Sequence, residues 1–151
     1  MDKNLVLISG SILYKEESGK IQFFLVKEQE DGGWEFPKVV VRKGESSVRA
    51  ALRIMGEKGG MTTKVLEEAG RAGGVTTSGG NTFPQRHLYY LMVLKSKSEE
   101  EIGFSETLWL DYSATMKKLY SKREKTMLKA AWGILKEIKK RRKKRKKLKK
   151  V

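Results

Sequence analysis

The 151-residue sequence predicts an α/β sandwich, a mixed sheet covered by helices. Three observations carry this. Short apolar and β-branched runs stand on both sides of one amphipathic segment that ends in glycine. The run from Leu88 to Leu94 is almost continuously apolar, as in a strand buried on both faces. Helical periodicity then closes the chain: Met127, Leu128, Ala131, Ile134, Leu135 and Ile138 recur at three and four and share one face.

The elements follow in order. Val6 to Tyr14 and Ile21 to Lys27 read as strands, joined by a polar segment that holds Ser18-Gly19. Glu28 to Gly33 reads as a loop, and Val39-Val40-Val41 as a short buried strand. Ser46 or Ser47 caps a helix that runs to about Glu57 or Lys58, with Val48, Ala51, Leu52 and Met55 on one face. Gly59-Gly60 stops it, because glycine takes the left-handed conformation at low cost. Val65 and Leu66 begin an extended segment through the glycines at 70–74, and Ser78-Gly79-Gly80-Asn81 is a turn. Ser96 to Gly103 is an acidic loop, Thr107 to Leu110 a short strand. Helices follow from near Ser113 and from about Ser121 to Ile138.

The formal net charge is +15, but its distribution matters more. Residues 139–150 hold 11 of the 33 Lys and Arg, and without them 22 basic face 18 acidic side chains. The sequence thus divides into a mildly basic domain, residues 1–138, and a polybasic tail, residues 139–151. The absence of Cys removes disulfides, thiolate metal sites and a Cys nucleophile. Leu5-Val6-Leu7-Ile8 is too short for a signal peptide and reads as a strand, so a cytoplasmic location is expected.

The stretch from Trp34-Glu35-Phe36-Pro37-Lys38 through Gly44-Glu45 to Arg53 and Gly60-Met61 resembles the Nudix box of Nudix hydrolases. The family pattern runs Gly, five residues, Glu, seven residues, Arg-Glu-hydrophobic-any-Glu-Glu-any-Gly-hydrophobic. Glu45, Arg53, Met55, Glu57, Gly60 and Met61 match it. Val39, Ile54 and Lys58 depart from it, at the opening Gly, at the Glu after the Arg and at the second Glu of the pair. A second register, with Glu67-Glu68-Ala69-Gly70 as the closing element, discards the helix. Glu106-Thr107-Leu108-Trp109-Leu110 resembles the family's Trp-bearing strand, and the likeness spans roughly residues 4–138.

The resemblance implies a Nudix-like α/β/α sandwich with a mixed sheet. It implies Mg²⁺ or Mn²⁺ bound by helix carboxylates, and hydrolysis of a nucleoside diphosphate linked to another moiety. Residues three and four apart share a helix face, so carboxylates there converge on a hard cation. In this sequence only Glu57 remains as metal ligand on that face. Glu45 or Glu106 would supply a further carboxylate or the base, and Arg53 would orient Glu45. Apart from the resemblance, the cluster Lys38, Arg42, Lys43 and Arg49 either favours a polyphosphate or RNA 5′ end or is solvated surface, with Lys38 and Arg42 the candidates for substrate phosphate. The alternative is a catalytically impaired module that binds nucleotide or RNA, with Lys58 holding phosphate as a point charge. Arg53 and Glu57, four apart, also make an ordinary surface ion pair.

Two further features stand apart. Trp34, Phe36, Phe83 and Tyr89 either stack on a base or belong to the core, and the single His87 either meets substrate or is structural. In the tail, Lys139, Lys140, Arg141, Arg142, Lys143, Lys144, Arg145, Lys146 and Lys147 can neutralise several phosphates, with RNA or ribonucleoprotein the favoured partner. An anionic membrane, nuclear targeting and a plain solvated extension of the last helix are the other readings.

Overall fold

The computed structural model describes residues 5–98 and 103–149. Most of the acidic stretch in the loop after Ser96 and the last two residues of the polybasic tail lie outside the described residues. Six strands form one mixed sheet: β1 (Val6–Glu17), β2 (Lys20–Lys27), β3 (Lys38–Val40), β4 (Met61–Ser78), β5 (Asn81–Lys97) and β6 (Glu106–Leu110). Three helices complete the described fold: α1 (Ser47–Gly59), α2 (Tyr112–Lys118) and α3 (Lys122–Lys149). The strand order is β4-β5-β1-β2-β6, and β3 pairs with β1. Among these pairings only β1 and β5 run parallel, with Ser9 opposite Leu88 and Ile12 opposite Leu91.

Alternation along the strands gives the sheet two apolar faces. Leu13, Phe24, Val26, Leu88, Tyr90 and Met92 pack against Ala51, Ile54 and Met55 of α1. Ile12, Tyr14, Phe23, Leu25, Tyr89 and Leu91 pack against Met127, Leu128, Ala131 and Leu135 of α3. This is the expected α/β/α sandwich. The run predicted to be buried on both faces, Leu88 to Leu94, lies in β5 near the middle of the sheet, as its composition required.

The elements run longer than their apolar cores. β4 and β5 form a hairpin of 18 and 17 residues, with three register shifts in the pairing. Its outer half pairs through Gly73 and Gly74, which no apolar pattern announces. α3 does not stop at Ile138 but continues to Lys149. Lys and Arg are good helix formers, and neither Gly nor Pro interrupts residues 139–149.

Two close approaches tie the halves together. A Cβ on Gly10 would lie 2.6 Å from the Tyr89 ring, so β1 must carry glycine there for Tyr89 to lie across it. The Tyr89 hydroxyl then donates to Glu124 Oε2 at 2.7 Å. Glu124, in the first turn of α3, is only 2% exposed. Its carboxylate also accepts from Phe36 N at 3.0 Å and from Lys38 Nζ at 2.7 Å. Breaking a buried pair leaves the partner charge uncompensated, at a cost of about 3–5 kcal/mol. Lys38 keeps Glu35 at 3.3 Å, which softens the loss. Glu124→Ala is therefore expected to lower unfolding free energy by about 3 kcal/mol, measured as a shifted urea midpoint with unchanged slope. A loss below about 1 kcal/mol would show that this carboxylate does not organise the fold.

Candidate active site

The box folds as a turn, a helix and a glycine stop. Glu45 N donates to Arg42 O at 3.0 Å, closing a four-residue turn. Gly44 sits in it at φ 79°, a conformation that side chains with a Cβ resist. Ser46, not Ser47, is the N-cap of α1: its side chain accepts from Arg49 N at 3.1 Å. Ser47 Oγ instead bonds to the Tyr90 hydroxyl, and Ser9 Oγ donates to Ser47 O at 2.7 Å, fastening the helix start to β1 and β5. Gly60 caps the other end at φ 60°, its N–H donating to Gly56 O.

Arg53 holds the turn against the helix. Its Nε donates to Glu45 Oε2 at 2.8 Å and its Nη2 to Glu45 Oε1 at 3.0 Å, a fork-on-fork geometry. Nη2 also reaches Val40 O at 3.1 Å, and Glu45 Oε1 accepts from Arg42 N at 3.1 Å. One guanidinium thereby links β3, the turn and α1. The Arg53 hydrogen bond, helped by that of Arg42 N, pulls the Glu45 carboxyl down to about 2. Glu45 also raises the pKa of Arg53. The Arg53 guanidinium thus directs its hydrogen bonds to Glu45 and Val40 O.

Beside the turn lies an open groove of about 810 Å³, lined by Leu5, Leu7, Val41, Arg42, Lys43, Gly44 and Glu45. Arg42 and Lys43 give it a cationic rim above an apolar floor.

The outer face of α1 is reduced. Ile54 is 4% exposed and part of the core, so the position after Arg53 is filled by packing rather than left as a vacant ligand site. Glu57 has a 59% exposed side chain and only a loose 3.9 Å approach from Arg53 Nη1. Lys58 lies 3.8 Å from Glu28 and 5.7 Å from the Phe104 ring centroid, in the last turn of α1 where the helix dipole favours a cation. Glu106 pairs loosely with Lys27 at 3.9 Å on the facing strand. Among the described residues, no three Asp, Glu or His side chains come together. This donor set does not fit a pre-formed cage for several ions. It does fit one Mg²⁺-type ion that keeps its waters and arrives with substrate phosphate, since such an ion needs one or two carboxylates. Glu57 is the side chain with that freedom.

The family model that matches this chain is that of the NUDIX domain, over residues 8–131. The chain belongs to the NUDIX domain family. Solved structures with this fold include the Caenorhabditis elegans Ap4A hydrolase in a binary complex, at TM-score 0.70 and 21% identity over 86% of this chain and 97% of that one. Another is the NUDIX domain of Shewanella oneidensis NrtR complexed with ADP ribose, at TM-score 0.68 and 16% identity over 88% and 90%. A third is a NUDIX hydrolase from Nitrosomonas europaea, at TM-score 0.67 and 14% identity over 85% and 88%. No curated protein matches the chain.

Within this NUDIX domain the remaining candidates are dispersed. Lys38 does not join Arg42 at the groove: its Nζ donates to Phe36 O at 3.0 Å and sits beside the Glu124 and Glu35 carboxylates. Phe36 and Tyr89 are core residues at 0% and 1% exposure, so neither offers a face to a base. Trp34 is half-buried with Lys118 over its ring, and Phe83 lies out on the β4–β5 hairpin. His87 is buried, with Arg123 Nη1 3.1 Å from its Nδ1. A guanidinium only donates, so Nδ1 accepts and the ring is neutral. Burial, then Arg123, push its pKa down accordingly. The basic residues of the tail form the outer end of α3, with Lys139 Nζ 3.0 Å from Glu16 and Lys140 through Lys147 exposed.

Glu124 is the residue that sequence reasoning missed. Ser121-Lys122-Arg123-Glu124 has the spacing of a local capping box, and Ser121 Oγ does accept from Glu124 N at 3.3 Å. The carboxylate itself leaves the helix end for Phe36, Lys38 and Tyr89.

A carboxyl held near 2 in the fold but near 4.5 when unfolded makes stability depend on acid. The contribution is present above pH 4.5 and is lost as pH falls toward 2. Glu45→Gln is expected to be less stable than the native chain at neutral pH, with the gap closing through that window in urea titrations at stepped pH. A gap that stays constant with pH would assign the loss to packing instead.

Proposed function

We propose that this chain hydrolyses a nucleoside diphosphate linked to another moiety, using Mg²⁺ or Mn²⁺ carried in with the substrate. The observation behind this reading is the braced box with one outward carboxylate. Arg53 and Glu45 hold the turn on the helix, and Glu57 stands 59% exposed on the same helix. Bound there, the ion would neutralise phosphate charge and activate water. The chain's own part is positioning. Arg42 and Lys43 give the groove beside the turn a positive rim, which favours a polyphosphate. Leu5, Leu7 and Val41 supply an apolar floor suited to a base or ribose face. Arg53 stays on Glu45 and keeps the turn in place, rather than reaching substrate.

The substrate class is supported by the names of two structural relatives. One is an Ap4A hydrolase and the other holds ADP ribose. Ap4A, the substrate in the first name, is a dinucleoside tetraphosphate and ADP ribose is a nucleoside diphosphate carrying a sugar, so both contain a nucleotide joined to a further group through a phosphoanhydride. A module that only binds phosphate through Lys58 draws less support. That ammonium has Glu28 and the Phe104 ring beside it and fits a helix-end cation.

The test is product release by the purified chain with Mg²⁺, with Mn²⁺ and with chelator. The panel is nucleotide sugars, dinucleoside polyphosphates, nucleoside triphosphates and 5′-capped RNA. Turnover is expected to need the ion. Glu57→Gln is expected to remove about 100-fold or more, because partners that merely orient metal ligands are already worth roughly 10–100-fold. Its thermal midpoint should not move, since the side chain is exposed. Full turnover in Glu57→Gln would discard the assignment, and no turnover anywhere on the panel would discard the activity.

A further inference from the structure

The outer end of α3 carries a second surface, independent of the diphosphate site. Ile138 is the last residue of the helix's apolar stripe, and every residue from Lys139 to Lys147 is Lys or Arg. The helix persists to Lys149, so the arm beyond Ile138 is roughly 16 Å long at 1.5 Å per residue. Its base is fixed to the domain. Lys139 Nζ lies 3.0 Å from Glu16 in β1, and Arg142 is near enough to Tyr14 to lower the pKa of that buried hydroxyl against the larger rise from burial.

Lys136, Lys139, Lys140 and Lys143 line one shallow groove of about 340 Å³ on this helix. They stand at i, i+3, i+4 and i+7, a single face, and Lys147 continues it. Like charges at these spacings repel, so the free arm holds a strain that a polyanion relieves. A membrane is the poorer fit. A helix that lies in a membrane interface needs an apolar face, and Leu148 is the sole apolar residue between 139 and 149.

We propose that this arm binds the phosphate backbone of a nucleic acid, without sequence preference, along the lysine stripe that begins at Lys136. A linear polyanion meets a linear row of ammonium groups, and released counterions drive the association. Nothing on the stripe is shaped to read a base.

The experiment uses full-length chain and a fluorescent oligouridylate of roughly 20 nucleotides, with anisotropy followed from about 0.05 to 0.3 M salt. Three substitutions on the stripe, Lys140→Gln, Lys143→Gln and Lys147→Gln, are combined. Gln keeps helix propensity, and circular dichroism verifies the helix. The control combines Lys20→Gln, Lys117→Gln and Lys129→Gln, three exposed lysines off the arm with the same change in net charge. The stripe variant is expected to flatten the log–log salt slope by about 2, at roughly 0.7 for each phosphate no longer neutralised, and to bind about 100-fold more weakly near 0.1 M salt. The control is expected to match the native chain. Arg at the same three stripe positions is expected to restore binding. Equal losses in stripe and control variants, or no binding by the native chain at the lowest salt, would overturn the proposal. So would capture by phosphatidylserine vesicles that depends on the stripe while RNA binding does not.

Discussion

A carboxylate as deeply buried as that of Glu124 must have its charge met within the protein. Here three groups meet it, from two places in the chain: Phe36 N and Lys38 Nζ, two residues apart, and the Tyr89 hydroxyl. One side chain in the first turn of α3 thus fixes the start of a helix, the middle of a central strand and the segment that leads into β3. Gly10 makes this possible by leaving room for the Tyr89 ring. The hydroxyl of Tyr89 is held protonated by burial and by Glu124, so it donates across the whole ordinary pH range. The geometry of the box depends on this junction at one remove. β3 is only three residues long and pairs with β1 through Ile8, Ser9 and Gly10. Its entry is held by Glu124 and its exit by Arg53, which donates to Val40 O.

The box itself separates two roles that its family pattern joins. The structural half survives: the turn with Gly44, the Glu45–Arg53 fork and the Gly60 cap are all in place. Two positions where that pattern has Glu hold other residues, Ile54 and Lys58. Ile54 belongs to the apolar layer beneath α1, and Lys58 sits among Glu28 and Phe104 at the helix end. Both residues have a structural part in this fold: Ile54 adds core packing, and Lys58 is a cation where the helix dipole favours one. A face with one carboxylate and a nearby cation would rely on charges brought by a ligand, whereas three carboxylates would hold an ion on their own.

The sandwich was legible in the sequence because its central strands carry near-continuous apolar runs and α1 and α3 each carry an apolar stripe. The approximate limits of α1 were legible from Ser46-Ser47 and Gly59-Gly60; of these the structure uses Ser46 and Gly60 as caps, through local hydrogen bonds. What escaped were interactions set by tertiary distance. Glu124 looks like a capping-box acid, and Lys38 looks like a loose surface cation next to Arg42. Their 2.7 Å pairing spans 86 residues of sequence. Phe36 and Tyr89 carry the same side chains whether they stack on a base or fill a core, and only burial separates the two. The extended run through the glycines of β4 and the turn after it were legible from local punctuation, whereas the first residues of β5, Asn81 to Arg86, were not, because no apolar run marks them.

The same limit applies to α3, whose apolar stripe ends at Ile138 although the helix does not. Starting a helix is the costly step, while adding a residue to an existing one is nearly neutral for good formers. At the start of α3 Ser121 Oγ accepts from Glu124 N, and the inner half of the helix is held by Leu128, Ala131 and Leu135 in the core. Lys139 onward extends a helix that already exists, and its cations lie toward the end where the backbone dipole is negative. Repulsion between neighbouring lysines works against this, and the Lys139–Glu16 pair relieves it only at the base. A sequence of nine consecutive cations would not be read as helical on its own; it becomes so because the core behind it has already met the cost of nucleation. The consequence is that charge is presented on a rigid axis fixed to the domain, at helical spacing, instead of being spread through a coil.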